Sequence, residues 1–316
     1  MNEIMIVSDV GGTNGRFGIA KFSEGKKLPE ISEIRVYPCK EYITFTDMIA
    51  EYMGNLKGEI PKTARFAISG EMTPRRGNLW HFNWDIRAEE LEQKLGFDQV
   101  TLMNDFEALV YAVPHLPKNE LLTITDFEKG LENGPFSVCG AGSGLGGSIG
   151  IPIDKTVKVV STEIGHISFA PRSNIEMELL KHTRKSFNHV SLESFLSGSG
   201  LVRIYDFIAG AGVKKMTAPE ITAAAKDDDN CSKAINVFLS ILYSAAGDIA
   251  LAQGARGGLY IGGGIVPKIA DQINKKDFLK LFRDKGPMSA YAEKIPVHII
   301  TSDMPALLGA AIASVE

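Results

Sequence analysis

Cysteine is scarce in this 316-residue chain. The three present, Cys39, Cys139 and Cys231, are odd in number, far apart and in no metal-ligand spacing. They read as reduced thiols, which excludes a disulfide scaffold and a cysteine-held zinc. Clusters of lysine and arginine are also missing, and the net charge is −4. No nucleic-acid partner is expected from such a surface. The first residues lack the basic region of a signal peptide, and their apolar run is short and broken by Asp9. No uninterrupted apolar run approaches the ~20 residues of a membrane span. A soluble, cytoplasmic chain with no membrane partner is the expectation. Neither G-x-x-x-x-G-K-[ST] nor a G-x-G-x-x-G that opens a helix occurs. Any phosphate site must therefore be local and of another kind.

What is present is glycine at strand ends. The stretch Ile4 to Ala20 reads as two apolar strands around the turn Asp9-Val-Gly-Gly-Thr-Asn-Gly15. Gly11, Gly12 and Gly15 can take positive φ and leave room for a ligand. Successive amides in such a turn can hold an anion, with Thr13 and Asn14 adding donors. Asp9 places a carboxylate where a hydrated magnesium ion can sit, bound through water. An ordinary tight hairpin is the competing reading. A second strand, turn, strand unit follows at Phe136 to Ile153, around Gly140-Ala-Gly-Ser-Gly-Leu-Gly146. It echoes the first in pattern, which suggests two related halves. A third loop, Gly262-Gly-Gly264, follows the strand Leu259 to Ile261.

At 44% hydrophobic and 23% charged, the chain has material for about two globular domains. Residues 1–115 with 302–316 are expected as a small α/β domain and 116–301 as a large one, with a crossing at Pro114 to Pro117. Helical spacing covers Phe45 to Leu56, capped by Thr44 or Thr46. Asp85 is expected to cap a helix from Ile86 to Leu95, ended by Gly96. Ser197-Gly-Ser-Gly200 reads as a turn before a helix from Leu201 to Ala209. Thr217-Ala-Pro-Glu220 reads as a capping box. Asp227 to Asn230 is a solvated acidic loop, followed by a long buried helix from Ala234 to Gln253. The last helix, Pro305 to Ser314, is expected to be capped by Ser302 or Asp303.

Two hairpin turns and a third glycine loop can surround a triphosphate. Phosphoryl transfer then needs a metal and a group that takes a proton from the attacking hydroxyl. Asp105, at a strand's carboxyl end beside Asn104, is the best-placed base. A helix cap is the alternative role, and the two are compatible. Glu163, His166 and Glu193 suit sugar hydroxyls. A metal site at Glu163 and His166 lacks a third ligand nearby.

These residues resemble the bacterial ATP-dependent glucokinases of the hexokinase type, in the actin-like, ribonuclease H-like ATPase superfamily. The resemblance runs nearly end to end. It is carried by Asp9-Val-Gly-Gly-Thr-Asn14 with Arg16, Asn104-Asp105-Phe106, Gly140 to Gly146, Glu163-x-Gly-His166, Val190-Ser-x-Glu193 with Leu196-Ser-Gly-x-Gly200, and Gly262 to Pro267. It implies an α/β fold of two such lobes, with mixed sheets flanked by helices and an active-site cleft between them. It implies ATP with Mg²⁺, glucose as substrate, and a homodimer. Ser8, Asp9, Val10, Gly11, Gly12, Thr13 and Asn14 would line the phosphate site. Gly140, Gly142, Ser143, Gly144, Gly262, Gly263 and Gly264 would complete it. Asp105 would activate the 6-hydroxyl, and Asn104, Glu163, His166 and Glu193 would hold the rest of the sugar. Three departures stand out: Ser8 where glycine is usual, Ile164 where a second glycine is common, and Trp80 to Trp84 in place of Thr-Asn-x-x-Trp. A kinase for another hexose, a non-catalytic sugar or nucleotide sensor, and a chaperone-like or cytoskeletal ATPase are the rival readings.

Overall fold

The computed structural model describes residues 3–314. Strand β1 (Ile4–Val10) turns back into β2 (Asn14–Lys21), and β2 pairs with β3 (Glu30–Pro38), all antiparallel. Helix α1 (Phe45–Gly54) starts at Thr44, which exchanges capping hydrogen bonds with Asp47. Strand β4 (Thr63–Ile68) returns parallel to β1. Strands β5 (Glu71–Met72), β6 (Arg76–Leu79) and β7 (Trp84–Arg87) form a small antiparallel sheet of their own. Helix α2 (Ala88–Leu95) ends at Gly96, in the left-handed region at φ 73°. Strand β8 (Gln99–Asn104) runs parallel to β4 and passes directly into α3 (Asp105–Ala112).

Strands β9 (Leu121–Thr123), β10 (Phe136–Ala141), β11 (Leu145–Ile153) and β12 (Thr156–Thr162) follow. Then come helices α4 (Asn174–Thr183), α5 (Gly198–Ala209), α6 (Ala218–Ala224) and α7 (Asp229–Ala252). Strand β13 (Gly258–Gly262), helices α8 (Lys275–Arg283) and α9 (Ser289–Ala292), strand β14 (Val297–Ile300) and helix α10 (Pro305–Ile312) complete the chain.

The chain divides into two units. The first holds the described residues of Met1–Pro117, Asp154–Ser161 and Ser302–Glu316, and the second holds Lys118–Ile153 and Thr162–Thr301. The first unit's sheet has the order β3-β2-β1-β4-β8. In the second unit the order β11-β10-β13-β14-β9 repeats its centre. In both, a hairpin offers its first strand to a parallel strand, which pairs with another parallel strand. The echo between the two glycine turns is thus an echo of topology.

The first unit's core is aromatic. Phe17 stacks on Tyr52 and Phe45 and meets Tyr37 and Phe66 edge-on. Helix α10 braces α3 so closely that a Cβ on Gly309 would stand 1.7 Å from the Ala108 carbonyl oxygen. Arg65 donates to the carbonyls of Ala311 and Ala313, closing the carboxyl end of α10. In the second unit α7 is long and apolar enough to cross a membrane, but most of its residues are buried against α5, α6 and α8. It is a core helix.

Three local expectations fail. Asp85 does not cap α2; it sits in β7 and pairs with Arg76 and Arg87, and Arg87 occupies the cap position with no side-chain bond to the helix amides. Ser197-Gly-Ser-Gly200 is not a free turn, because Ser197 caps α5 and the glycines are its first turn. Neither Ser302 nor Asp303 caps α10, whose cap position is Met304. Asp228, in the exposed acidic stretch, caps α7.

Candidate active site

The first unit gathers one set of site residues by strand register. Val10 lies beside Ile68, and Ile68 beside Asn104. The three parallel strands β1, β4 and β8 therefore end at one edge, with the Gly11 to Thr13 turn and Asp105 both just beyond it. The turn is fixed by backbone bonds: the Gly11 amide donates to the Asn14 carbonyl (3.0 Å), and the Cys39 amide donates to the Thr13 carbonyl (2.9 Å). None of Gly11, Gly12 or Gly15 is among the described glycines with positive φ, so the freedom the sequence offers there goes unused. Gly15 lies close under Met48, where a Cβ would stand 2.6 Å from the Sδ. Ser8 is fully buried, and its hydroxyl finds no partner among the described residues.

Asn104 caps α3. Its Oδ1 accepts from the Phe106 amide (2.8 Å), and its Nδ2 donates to the Gly70 carbonyl (3.0 Å). Both ends of its amide are thus engaged inside the protein, each with one further valence open. Glu107 completes the cap and accepts a hydrogen bond from the Ser161 hydroxyl. Capping therefore belongs to Asn104, with Asp105 as the first helical residue. Asp105 adds one contact, accepting from the Phe106 amide (3.1 Å).

Burial pushes the Asp105 carboxyl from 3.8 up to about 7, and the Asp9 carboxylate adds to the push. Asp9 is raised too, by burial, while the Arg16 guanidinium 3.6 Å away partly restores its charge. Arg16 itself donates to the Asp303 carbonyl (3.0 Å). A carboxyl poised near neutrality and held at a helix start is suited to accept a proton from an alcohol. Among the described residues no group of three or more His, Cys, Asp and Glu is arranged as a metal cage. One partly exposed carboxylate beside a glycine turn instead fits a hydrated Mg²⁺ shared with phosphates, which asks for one or two protein ligands. A dication there would also relieve the repulsion between Asp9 and Asp105.

The second unit gathers the other set. Gly140 and Gly262 lie side by side in the β10–β13 ladder. A Cβ on Gly140 would stand 2.5 Å from the Gly262 carbonyl, so the backbones of the two loops touch. Gly263 takes φ +87° against the Ala141 backbone, a conformation and a clearance only glycine tolerates. The Gly142 amide donates to the Gly144 carbonyl (2.8 Å), and the Gly198 amide, at the start of α5, donates to the Gly142 carbonyl (2.9 Å).

Glu163 precedes a single helical turn, Ile164–His166, and His166 ends it; both are well exposed, 3.9 Å apart. Ile164 is buried against Gly147, where a Cβ would stand 2.5 Å from its Cδ1. His189, which reads from the sequence as a structural or surface residue, bonds the His166 carbonyl through Nε2 (2.9 Å) and so supports this loop. Glu193 reaches the second glycine turn: its Oε2 accepts from the Leu145 amide (2.9 Å). Trp84 is buried, stacks on Phe82, and donates to the Ile43 carbonyl, so it serves the first unit's core.

A family model described as Glucokinase matches residues 6–316. The glucokinase of Saccharophagus degradans is 35% identical over 312 residues, which cover 97% of this chain and 96% of that protein. Among solved structures, a glucokinase from an Antarctic psychrotroph superposes with a TM-score of 0.81 at 33% identity, covering 98% of both chains. A ROK family glucokinase from Streptomyces griseus, solved with glucose and AMPPNP, superposes with a TM-score of 0.68 at 19% identity, covering 98% of each chain.

Proposed function

The chain belongs to the glucokinase family, and from that premise we propose how its residues transfer the γ-phosphoryl group of ATP to the 6-hydroxyl of glucose. Asp105 accepts the hydroxyl proton as the oxygen attacks phosphorus. Its environment supports this role, because a carboxyl near 7 is a far better base than one near 4. The observation that carries the assignment is position: Asp105 is the first residue beyond β8, at the edge where β1, β4 and β8 end beside the Gly11 to Thr13 turn. Ionised Asp105 becomes neutral on accepting the proton, so transfer also relieves the repulsion from Asp9.

The amides of the Gly11 to Asn14 turn cradle phosphate oxygens, with Ser8 and Val10 forming the strand beneath. The Gly142-Ser143-Gly144 turn and the Gly262 to Gly264 loop serve the nucleotide from the second unit. Mg²⁺, held through water by Asp9, would supply charge neutralisation at the phosphates. Asn104, Glu163, His166 and Glu193 hold the sugar hydroxyls. The imidazole of His166 can donate or accept, and the Glu163 carboxylate stands 3.9 Å from it. Exclusion of water from the phosphoryl group completes the mechanism. A cytoplasmic homodimer is the assembly we infer from the family resemblance.

Phosphorylation of another hexose is the nearest alternative, because sugar kinases of this kind differ by a few pocket contacts. A panel of glucose, mannose, fructose and N-acetylhexosamines, each with Mg-ATP in a coupled ADP-release assay, separates the readings. Glucose should give the highest kcat/KM. A clear preference for another sugar would replace the substrate, and no ADP release with any sugar would leave a non-catalytic sensor.

A further inference from the structure

We propose that Glu193 also holds the second glycine turn in shape, so that one carboxylate ties the sugar-binding loop to the nucleotide-binding turn. This rests on the roles assigned above to those two segments and adds a physical link between them. The link is visible atom by atom. Glu193 Oε2 accepts from the Leu145 amide at 2.9 Å, across 48 residues of sequence. The same oxygen fills the space over Gly144, where a Cβ would stand only 2.4 Å from it. The glycine is thus the side of the turn on which the carboxylate rests.

The backbone of Glu193 binds the sugar loop at the same time. Its amide donates to the Gly165 carbonyl (2.9 Å), between Glu163 and His166. Gly165 in turn packs on Leu145, where a Cβ would stand 2.1 Å from the Leu145 carbonyl oxygen. The Ser197 hydroxyl donates to the Glu193 carbonyl (2.8 Å) while capping α5, and the next residue, Gly198, donates to Gly142. Glu193 therefore stands between the loop of Glu163 and His166 on one side and the turn 142–145 on the other. Its Oε1 makes no hydrogen bond among the described residues and remains open to a sugar hydroxyl.

Two oxygens with two employments make a specific prediction. Removing the whole carboxylate should disturb both substrates, whereas glutamine keeps an oxygen for the Leu145 amide and should disturb mainly the sugar. Glu193→Ala is expected to weaken AMPPNP binding, measured by calorimetry without sugar, roughly tenfold, the scale of losing one charge-assisted hydrogen bond. Glu193→Gln is expected to leave AMPPNP affinity within about threefold of wild type. Both should raise the KM for glucose. Melting temperatures of both variants, read alongside, separate this from general unfolding, and Glu193→Asp, too short to reach the turn, should resemble Ala toward the nucleotide. Wild-type nucleotide affinity in Glu193→Ala would overturn the proposal, as would equal nucleotide losses in Ala and Gln. Failure of wild-type protein itself to bind AMPPNP would instead strike the underlying assignment of the turn, and the proposal with it.

Discussion

Replacing Asp105 by asparagine should make the ligand-free protein more stable at alkaline pH while disabling it. The sign follows from the carboxyl's raised proton affinity. Between about pH 4 and pH 7 the folded state keeps a proton on Asp105 that the unfolded chain has released. Stability therefore falls as pH rises through that window, and the loss persists above it. A gap from 3.8 to about 7 corresponds to about 4 kcal/mol at most. Asp105 keeps part of its surface in water, so about 2–4 kcal/mol is the realistic range. Asparagine has nearly the same shape, can still accept from the Phe106 amide, and leaves the Asn104 cap intact. Thermal melts of both proteins at pH 5 and pH 8, without ligands, read the effect. The variant's advantage should widen by about 2 kcal/mol between the two pH values, or roughly 4–8 °C. An advantage that is flat with pH, or a variant less stable at pH 8, would refute the reasoning.

The same ionisation should appear in the kinetics, with kcat/KM for glucose falling on the acid side as Asp105 takes up a proton, at a pH below 7 where bound Mg²⁺ offsets the Asp9 charge. In Asp9→Asn the repulsion is gone, so the acidic limb of whatever activity remains should move to lower pH; a limb that stays in place would separate Asp105 from Asp9. Gly309→Ala should cost about 1–3 kcal/mol in a urea titration, because its Cβ would have to displace the Ala108 backbone of α3. It should also lower kcat, since α3 carries Asp105 at its start; full stability in that variant would mean that α10 can slide away.

The parts of the site that local sequence encodes were readable. Glycines at strand ends, and Asn104-Asp105 at a strand-to-helix junction, are patterns of neighbours, and the β1–β2 and β10–β11 hairpins and the β8–α3 junction stand where those patterns put them. What sequence could not give is set by contacts between distant residues. Asp85 looks like a cap until Arg76 and Arg87 draw it into β7. The bond from Leu145 to Glu193 and the approach of Gly309 to Ala108 leave no trace in spacing. The raised proton affinity of Asp105 likewise depends on burial and on Asp9, 96 residues earlier in the chain by their numbering.

The most direct measurement is the turnover of Asp105→Asn with saturating glucose and Mg-ATP, set beside its affinity for glucose. Loss of a general base predicts kcat lower by about 10²–10⁴-fold with glucose affinity within a few-fold of wild type. A variant that turns over at near the wild-type rate would contradict the account at its centre.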